Sequence, residues 1–477
     1  MSCVVKAEEW PTYQHDNGRS AISDENLSGP LREVWVRRTP YRPRPAWDEP
    51  ATWDGWAKVA GLKNRQVFDK VFQVATVGDA VFFGSSLDDK VYCVDAQTGK
   101  TRWTYFTEGP VRLAPSIADG RVYVGSDDGC IYCLDAASGR LIWKQRPVER
   151  DRRVPGNGRM ISVWAIRTGV VVADGTAYCC AGVIPSATVH VCSFDAETGA
   201  PGWKTAMRDY PAEGYLLASA TRLYVTTGRN RPLVFDRATG KRLSQAVGGT
   251  GGTYALLTGD TLLYGPNKTG NVEAFDAAKK DHLASFAGNH MIVTPDIAYL
   301  QTDTELSALD RNTYVAAFVA RHHATEEREE LVEQLRKLKN LTSAERDERK
   351  ARIGRLSQQI RRQTDALGKC LKWKVSCRYS LALIKCGHTL VAGGQGGVAA
   401  FDVDGGRKLW QADIPGDVYG LAWANGRLYV SSDSGAIHCL AAGESTVSGK
   451  RPRAASTSDK LARQVGRAGE PRGPQGD

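Results

Sequence analysis

Among its 477 residues the chain has no run of eighteen or more apolar residues, so no segment is apolar enough to span a bilayer as a helix. Its eight histidines are scattered and build no ligand cluster. The eleven cysteines are an odd number without regular pairing, which argues against a disulfide framework and leaves the redox compartment undecided. GxSxG, HExxH and phosphate-loop motifs are all missing, and no nucleophile, base and orienting group occur together, so no catalytic residue is assigned. The formal charge of +10 has no helix-turn-helix, zinc-finger or RNA-binding signature beside it, and much of the Lys and Arg sits in one helical insert and the C-terminal tail. No nucleic-acid partner is expected from that pattern. Residues 1–7, MSCVVKA, end in the small-x-Ala manner of a secretory signal but lack its apolar region. The expectation is a start inside a longer signal peptide, a mature chain from near Glu8, and a periplasmic or cell-envelope location. With Met1 as the true start the location is cytoplasmic.

What the sequence has is repetition. VYCVDAQTGKTRW at 91–103 returns as IYCLDAASGRLIW at 131–143. Further copies follow at about forty-residue spacing: VCSFDAETGAPGW around Asp195, LVFDRATGKRL around Asp236, VEAFDAAKKDHL around Asp276, LSALDRNTYVAAF around Asp310, VAAFDVDGGRKLW around Asp402, and IHCLAAG around Ala441. Asp accepts hydrogen bonds from its own turn and Gly supplies the positive φ that closes a hairpin. A second hairpin precedes most copies, giving about four short strands per period, the mark of a propeller blade. The fold expected is all-β: an eight-bladed β-propeller of four-stranded antiparallel blades over residues 30–443, with a helical-hairpin insertion. The eighth copy lacks its closing strand, and PLREVW at 30–35 supplies one, so an N-terminal strand closes the ring without an exposed edge. Residues 1–29 form a lead-in. Trp35, Trp103, Trp143, Trp203 and Trp410 are expected to wedge between blades, with Leu243, Leu283 and Phe318 replacing them in a less regular sector. Cys93, Cys133 and Cys439 share one buried slot, and Cys130 with Cys133 faces two ways along a strand, which excludes a shared metal.

The interval from Asp310 to Asp402 exceeds one period. Its excess, residues 322–368, is charged, free of Pro and helical in period, with Leu331, Leu335 and Leu338 on one face and Ile353, Leu356, Ile360 and Leu367 on another. Thr342 with Glu345 makes a capping box for a second helix. An antiparallel hairpin is predicted, coiled-coil-like, either a tolerated insertion or, near 325–367, a docking arm for a protein partner or a second copy. Residues 444–477 lose apolar periodicity and are expected to be a disordered basic tail.

These residues resemble the PQQ-like (quinoprotein-type, BamB-like) β-propeller family, through the strand-DAxTGxxxW repeat and the lead-in WPTYQHDNGRSAIS at 10–23. AWDEPATWDGW, NGRMISVWAIRTGVVV and GGTYALL are similar to PQQ-binding-like propeller proteins of planctomycete type. The resemblance implies two competing functions. One is a non-catalytic binding or scaffold protein of the envelope, BamB-like, with no cofactor. The alternative is a quinoprotein dehydrogenase oxidising alcohols or sugars, which holds PQQ in the propeller axis with Ca²⁺ and an Asp base and in some members carries a vicinal disulfide. Cys179 and Cys180 are adjacent, but the repeat places them in an ordinary strand, facing opposite ways.

Aligned by the repeat, Phe72, Arg112, Arg167, Tyr215, Tyr254, Met291, Tyr379 and Tyr419 precede the inner strands and are expected to converge on one mouth of the channel. Arg159, Arg229, Arg231, Asn267, His290 and Arg378 lie on nearby loops. Tyr and Arg stack on flat or sugar-like groups and fork around carboxylates. Two readings follow: a site for a small anionic, aromatic or glycan-like ligand, or tyrosines filling a tapering channel. The first reading prevails only if binding depends on the arginines.

Overall fold

The computed structural model describes residues 8–27, 29–46, 68–156, 158–228, 230–249, 251, 254–267, 270–338 and 341–442. The expected signal remnant, the basic tail, most of AWDEPATWDGW and Arg229 lie outside the described residues.

The repeat is a turn before it is a fold. Asp95 Oδ1 accepts from the backbone N of Thr98 at 2.9 Å and from its hydroxyl at 2.8 Å, while Gly99 N reaches back to Asp95 O at 2.8 Å. Gly99 takes φ +67°, which a side chain resists. The same pattern closes the turns at Asp135, Asp195 and Asp236. Each turn joins the third and fourth strands of an antiparallel sheet.

Six such four-stranded sheets follow one another along the chain. The first is Val74–Val77, Ala80–Ser85, Lys90–Asp95 and Thr101–Phe106. The second is Ser116–Ala118, Arg121–Gly125, Ile131–Asp135 and Leu141–Gln145. The third, fourth, fifth and sixth begin with Val171–Ala173, Leu217–Ala218, Tyr254–Thr258 and His290–Val293. A seven-stranded sheet completes the set. Within it Thr389–Asp402 and Lys408–Ala424 each serve two strand positions. At its edge Arg32–Arg38 pairs antiparallel with Ala436–Ala441. The architecture is all-β and propeller-like, with first strands of neighbouring sheets lying beside one another. The apolar core is divided accordingly: separate clusters lie between the first and second, second and third, third and fourth, and fourth and fifth sheets.

Tryptophan joins one sheet to the next. Nε1 of Trp35, Trp103, Trp143 and Trp203 donates to the backbone O of Ala96, Ala136, Ala196 and Arg237, the residues just after the turn Asp of the following sheet. At these four the expected apolar wedge is thus also a hydrogen bond, whereas Trp410 packs on the core with its Nε1 unbonded among the described residues. Cys93, Cys133 and Cys439 sit directly opposite Trp103, Trp143 and Trp35 in register, where a small buried side chain leaves room for the indole.

The sixth sheet departs from expectation. Its fourth strand is Leu371–Ser376, so its tryptophan is Trp373, whose Nε1 donates to Val403 O at 2.9 Å. Phe318 does not replace it: Phe318 lies on helix α1, Arg311–Lys337, which begins earlier than the periodicity predicts. The reason is local. RNTYVAAF has no Gly to close the turn, and the carboxylate of Asp310 caps a helix instead, accepting from Thr313 N at 2.9 Å. Helix α2, Ser343–Lys369, starts at the Thr342–Glu345 capping box. The helices run antiparallel, with Arg352 gripping Glu327 at 2.6 and 2.8 Å. Their root covers the fifth sheet, which has Leu283 where others have Trp: Tyr314 donates to Ser285 O at 2.8 Å and stacks on Phe286.

Candidate functional site

Residues 10–23 touch the innermost strands of most sheets. Trp10 pairs with Thr76 of the first sheet, and Pro11 O accepts from Ile117 N of the second. The Asn17 amide donates to Val172 O of the third, Asn17 O accepts from Ala218 N of the fourth, and Gly18 O from Leu257 N of the fifth. Ala21 O accepts from Lys385 N, and Ile22–Ser23 adds a parallel pairing there. A segment this short reaches six first strands only by lying where they converge, on the axis.

Arg19 is its anchor. Only 1% exposed, its guanidinium donates to Leu216 O at 3.1 and 2.9 Å, to Thr12 Oγ1 at 2.9 Å, to Tyr13 O at 3.0 Å and to Asp16 O at 3.1 Å. Burial lowers its pKa to about 10 against the opposing pull of the Asp16 carboxylate. Tyr13 stacks on Tyr215 with ring centroids 3.6 Å apart and planes 5° from parallel. The Tyr215 hydroxyl accepts from Ala114 N at 2.8 Å.

Arg112 and Arg167, chosen by their place in the repeat, meet on a residue that was not. Asp127, fully buried, accepts from Arg112 Nε at 2.7 Å and from Arg167 Nε and Nη2 at 3.0 and 3.1 Å. Burial pushes its carboxyl up, but the two guanidiniums outweigh that and hold it below the ordinary range. Arg112 Nη1 also donates to Arg44 O at 2.7 Å and lies 3.4 Å from Asp69 Oδ2. Burial raises the Asp69 carboxyl against the pull of Arg112, and among the described residues its Oδ1 has no partner.

The other expected mouth residues are partnered mostly within the fold. Phe72 packs on Phe83. Arg159 binds Asp89 and the Leu87 carbonyl. The Tyr254 hydroxyl lies against both backbone polar groups of Met291. His290 Nδ1 meets Gln301 Oε1 at 2.8 Å, and burial lowers its pKa to about 4, leaving a neutral ring. Arg378 lies over the buried Tyr379, and Lys70 over Tyr419. Arg231 offers its carbonyl to Thr227 and Gln245, and the Asn267 amide binds Glu273. Cys179 faces the core between the second and third sheets and Cys180 that between the third and fourth. Burial raises both thiols well above their ordinary value.

The residues missed by reading the repeat are Tyr13, Arg19, Asp69 and Asp127. No local signal marks them: SDDG at 126–129 has its near-equal in SDSG at 432–435. Beside the axial segment lies a cavity of about 680 Å³, lined by Glu8, Glu9, Asp16, Asp24 and Glu25 together with His15 and the second sheet's Ser116–Ala118 strand. Hydrogen bonds from His15 and Ser20 overcome burial to hold Asp16 at about 2.

Among the described residues no group of three or more His, Cys, Asp or Glu is placed to hold a metal ion, and no helix is long and apolar enough to cross a membrane. A search of curated proteins finds no match. Among solved structures, BamB from Moraxella catarrhalis is 14% identical, with TM-score 0.53 over 86% of this chain and 99% of that one. Quinohemoprotein alcohol dehydrogenase from Comamonas testosteroni is 14% identical, with TM-score 0.60 over 93% of this chain and 82% of its own. The computationally designed Ika8 protein is 12% identical, with TM-score 0.55 over 79% and 97%. At these identities the likeness is one of fold. The family model described as outer membrane protein assembly factor BamB matches residues 51–279 and 343–450, most of the chain, and the chain belongs to that PQQ-like propeller family.

Proposed function

We propose that the chain is an eight-bladed propeller, closed by Arg32–Arg38 against Ala436–Ala441, that works as a non-catalytic binding or scaffold protein of the cell envelope. The observation that carries this reading is the axial segment. A quinone site needs room on the axis and free carboxylates for its cation. Here Tyr13 and Arg19 fill the axis, and both oxygens of Asp127 are held by Arg112 and Arg167. Cys179 and Cys180 face separate cores rather than a shared ligand. The residues around Tyr13, Arg19 and Asp127 do not fit PQQ with Ca²⁺, and the acidic cavity beside them gathers no carboxylate group placed to hold a cation among the described residues. Nor is a small anion placed on Arg112 and Arg167, whose guanidiniums already bond to Asp127.

The BamB family description, an assembly factor, is in keeping with a protein whose work is to bind other proteins. Titration of the purified chain with PQQ and Ca²⁺, read by calorimetry and by quinone absorbance, tests the reading. No stoichiometric binding is expected. Tight binding at one quinone per chain would overturn it in favour of a quinone-dependent dehydrogenase.

A further inference from the structure

Two arginine-bearing segments, far apart in sequence, meet on the side of the sheets where each fourth strand leads on to the next sheet. Residues 37–44, RRTPYRPR, leave the closing strand with four arginines and no acid. Residues 146–159 leave the second sheet with five arginines against Glu149 and Asp151 and enter the hairpin of Arg153–Gly156 and Arg159–Ser162. The segments come near each other at the hairpin tip, where the Arg44 guanidinium lies on the open side of Gly158. Both rest on the same corner of the first sheet, since Arg44 N donates to Ser86 Oγ and Arg159 binds Leu87 O and Asp89.

The charges on this surface are not balanced. Arg146, Arg153 and Arg159 have carboxylate partners. Arg42, Arg44, Arg150 and Arg152 are exposed, and none has a carboxylate in ion-pair range among the described residues. Beside them Tyr41 is 71% exposed and Met160 54%. Arg, Tyr and Met are the side chains enriched at protein interfaces, and Arg forks around carboxylates more specifically than Lys. The exposed Glu149 and Asp151 within the same surface disfavour a continuous polyanion such as nucleic acid, whereas a short acidic segment can avoid them.

We propose that this surface docks an acidic segment of a protein partner, with Arg42, Arg44, Arg150 and Arg152 as its counter-charges and Tyr41 and Met160 as its apolar contacts. The proposal rests on the reading of the chain as a binding propeller and names the chemistry of what is bound.

The test uses the full chain and a fluorescently labelled peptide rich in Glu and Asp and bearing leucines, with anisotropy as the readout at low and moderate salt. A labelled oligothymidylate of equal length is run beside it. R42E/R44E/R150E/R152E is expected to weaken the peptide by at least about tenfold, as the loss of four rim ion pairs implies. R355E/R361E/R362E, equal in sign but on the exposed side of α2, should leave it within about twofold, the scatter of near-neutral surface changes. The four residues are exposed, so thermal melting should be unchanged; if the fourfold variant fails to fold, R42Q/R44Q and Tyr41→Ala carry the same test. Three results would overturn the proposal: no peptide binding at low salt, equal binding by the fourfold variant, or oligothymidylate binding tighter than the peptide and lost in the same variant. Stoichiometric PQQ binding would defeat the non-catalytic reading without moving any of these outcomes, so the two failures are separable.

Discussion

At the rim of the sheets, Trp103 donates to Ala136 O at 3.0 Å and packs over Gly139, and the same arrangement recurs from sheet to sheet. At the axis, Arg19 and Asp127 make their bonds once, to partners up to 197 residues away. The rim spreads stability over equivalent joints, each replaceable in kind. The axis concentrates it in polar groups that have no water to fall back on. Loss at the rim should therefore be graded and local, and loss at the axis larger and sensitive to charge.

The largest effect is expected at Asp127. Asp127→Ala leaves two buried guanidiniums without their anion and should cost about 3–5 kcal/mol in urea unfolding. Its carboxyl is depressed in the folded state, so its stabilisation is full above the unfolded value of about 4 and is lost as pH falls through the lower folded value. The variant should accordingly lose part of the acid limb of the stability–pH curve. Asp69 sharpens the contrast. Its carboxyl is raised by burial, so ionised Asp69 weakens the fold as pH rises through that value, and Asp69→Asn should cost no more than about 1 kcal/mol at neutral pH. Equal losses at the two positions would contradict the assignment of Asp127 as the hub.

Next come the rim joints. Trp103→Ala removes a buried indole and its hydrogen bond and should cost about 3 kcal/mol by equilibrium unfolding. Gly139→Ala should cost about 2 kcal/mol, since Gly139 holds φ +71° and a Cβ there would lie 2.5 Å from the Trp103 ring. Gly120→Ala, at φ +70° with open space around it, should cost about 1 kcal/mol, so the difference between the glycines measures the tryptophan contact. Smallest is Arg352→Ala in the helical hairpin, whose pair with Glu327 is solvent-exposed, so the urea midpoint should not move measurably.

The same contrast governs what the sequence reveals. Asp95, Gly99 and Trp103 are legible because each does one mechanical task that every copy repeats. Trp373 escapes because the insert separates it from its turn, and Asp310 is read as another tight turn because a helix cap and an Asx turn use the same carboxylate and the same spacing. Arg112 and Arg167 stand out by position, but their shared partner hides in a loop that looks like an ordinary SDDG turn. Residues 10–23 are recognisable as a lead-in, yet nothing periodic in them announces that Arg19 and Tyr13 sit on the axis. Networks closed across long sequence separations leave no local pattern to read.

The placing of residues 10–23 is tested most directly by hydrogen exchange followed by mass spectrometry on peptides covering them. The amides of Trp10, Arg19 and Ala21, which bond to Thr76 O, Asp16 O and Gln14 O, should be protected nearly as well as the first strands they adjoin. Exchange of this segment at the rate of an unstructured peptide, with the first strands still protected, would contradict that placing.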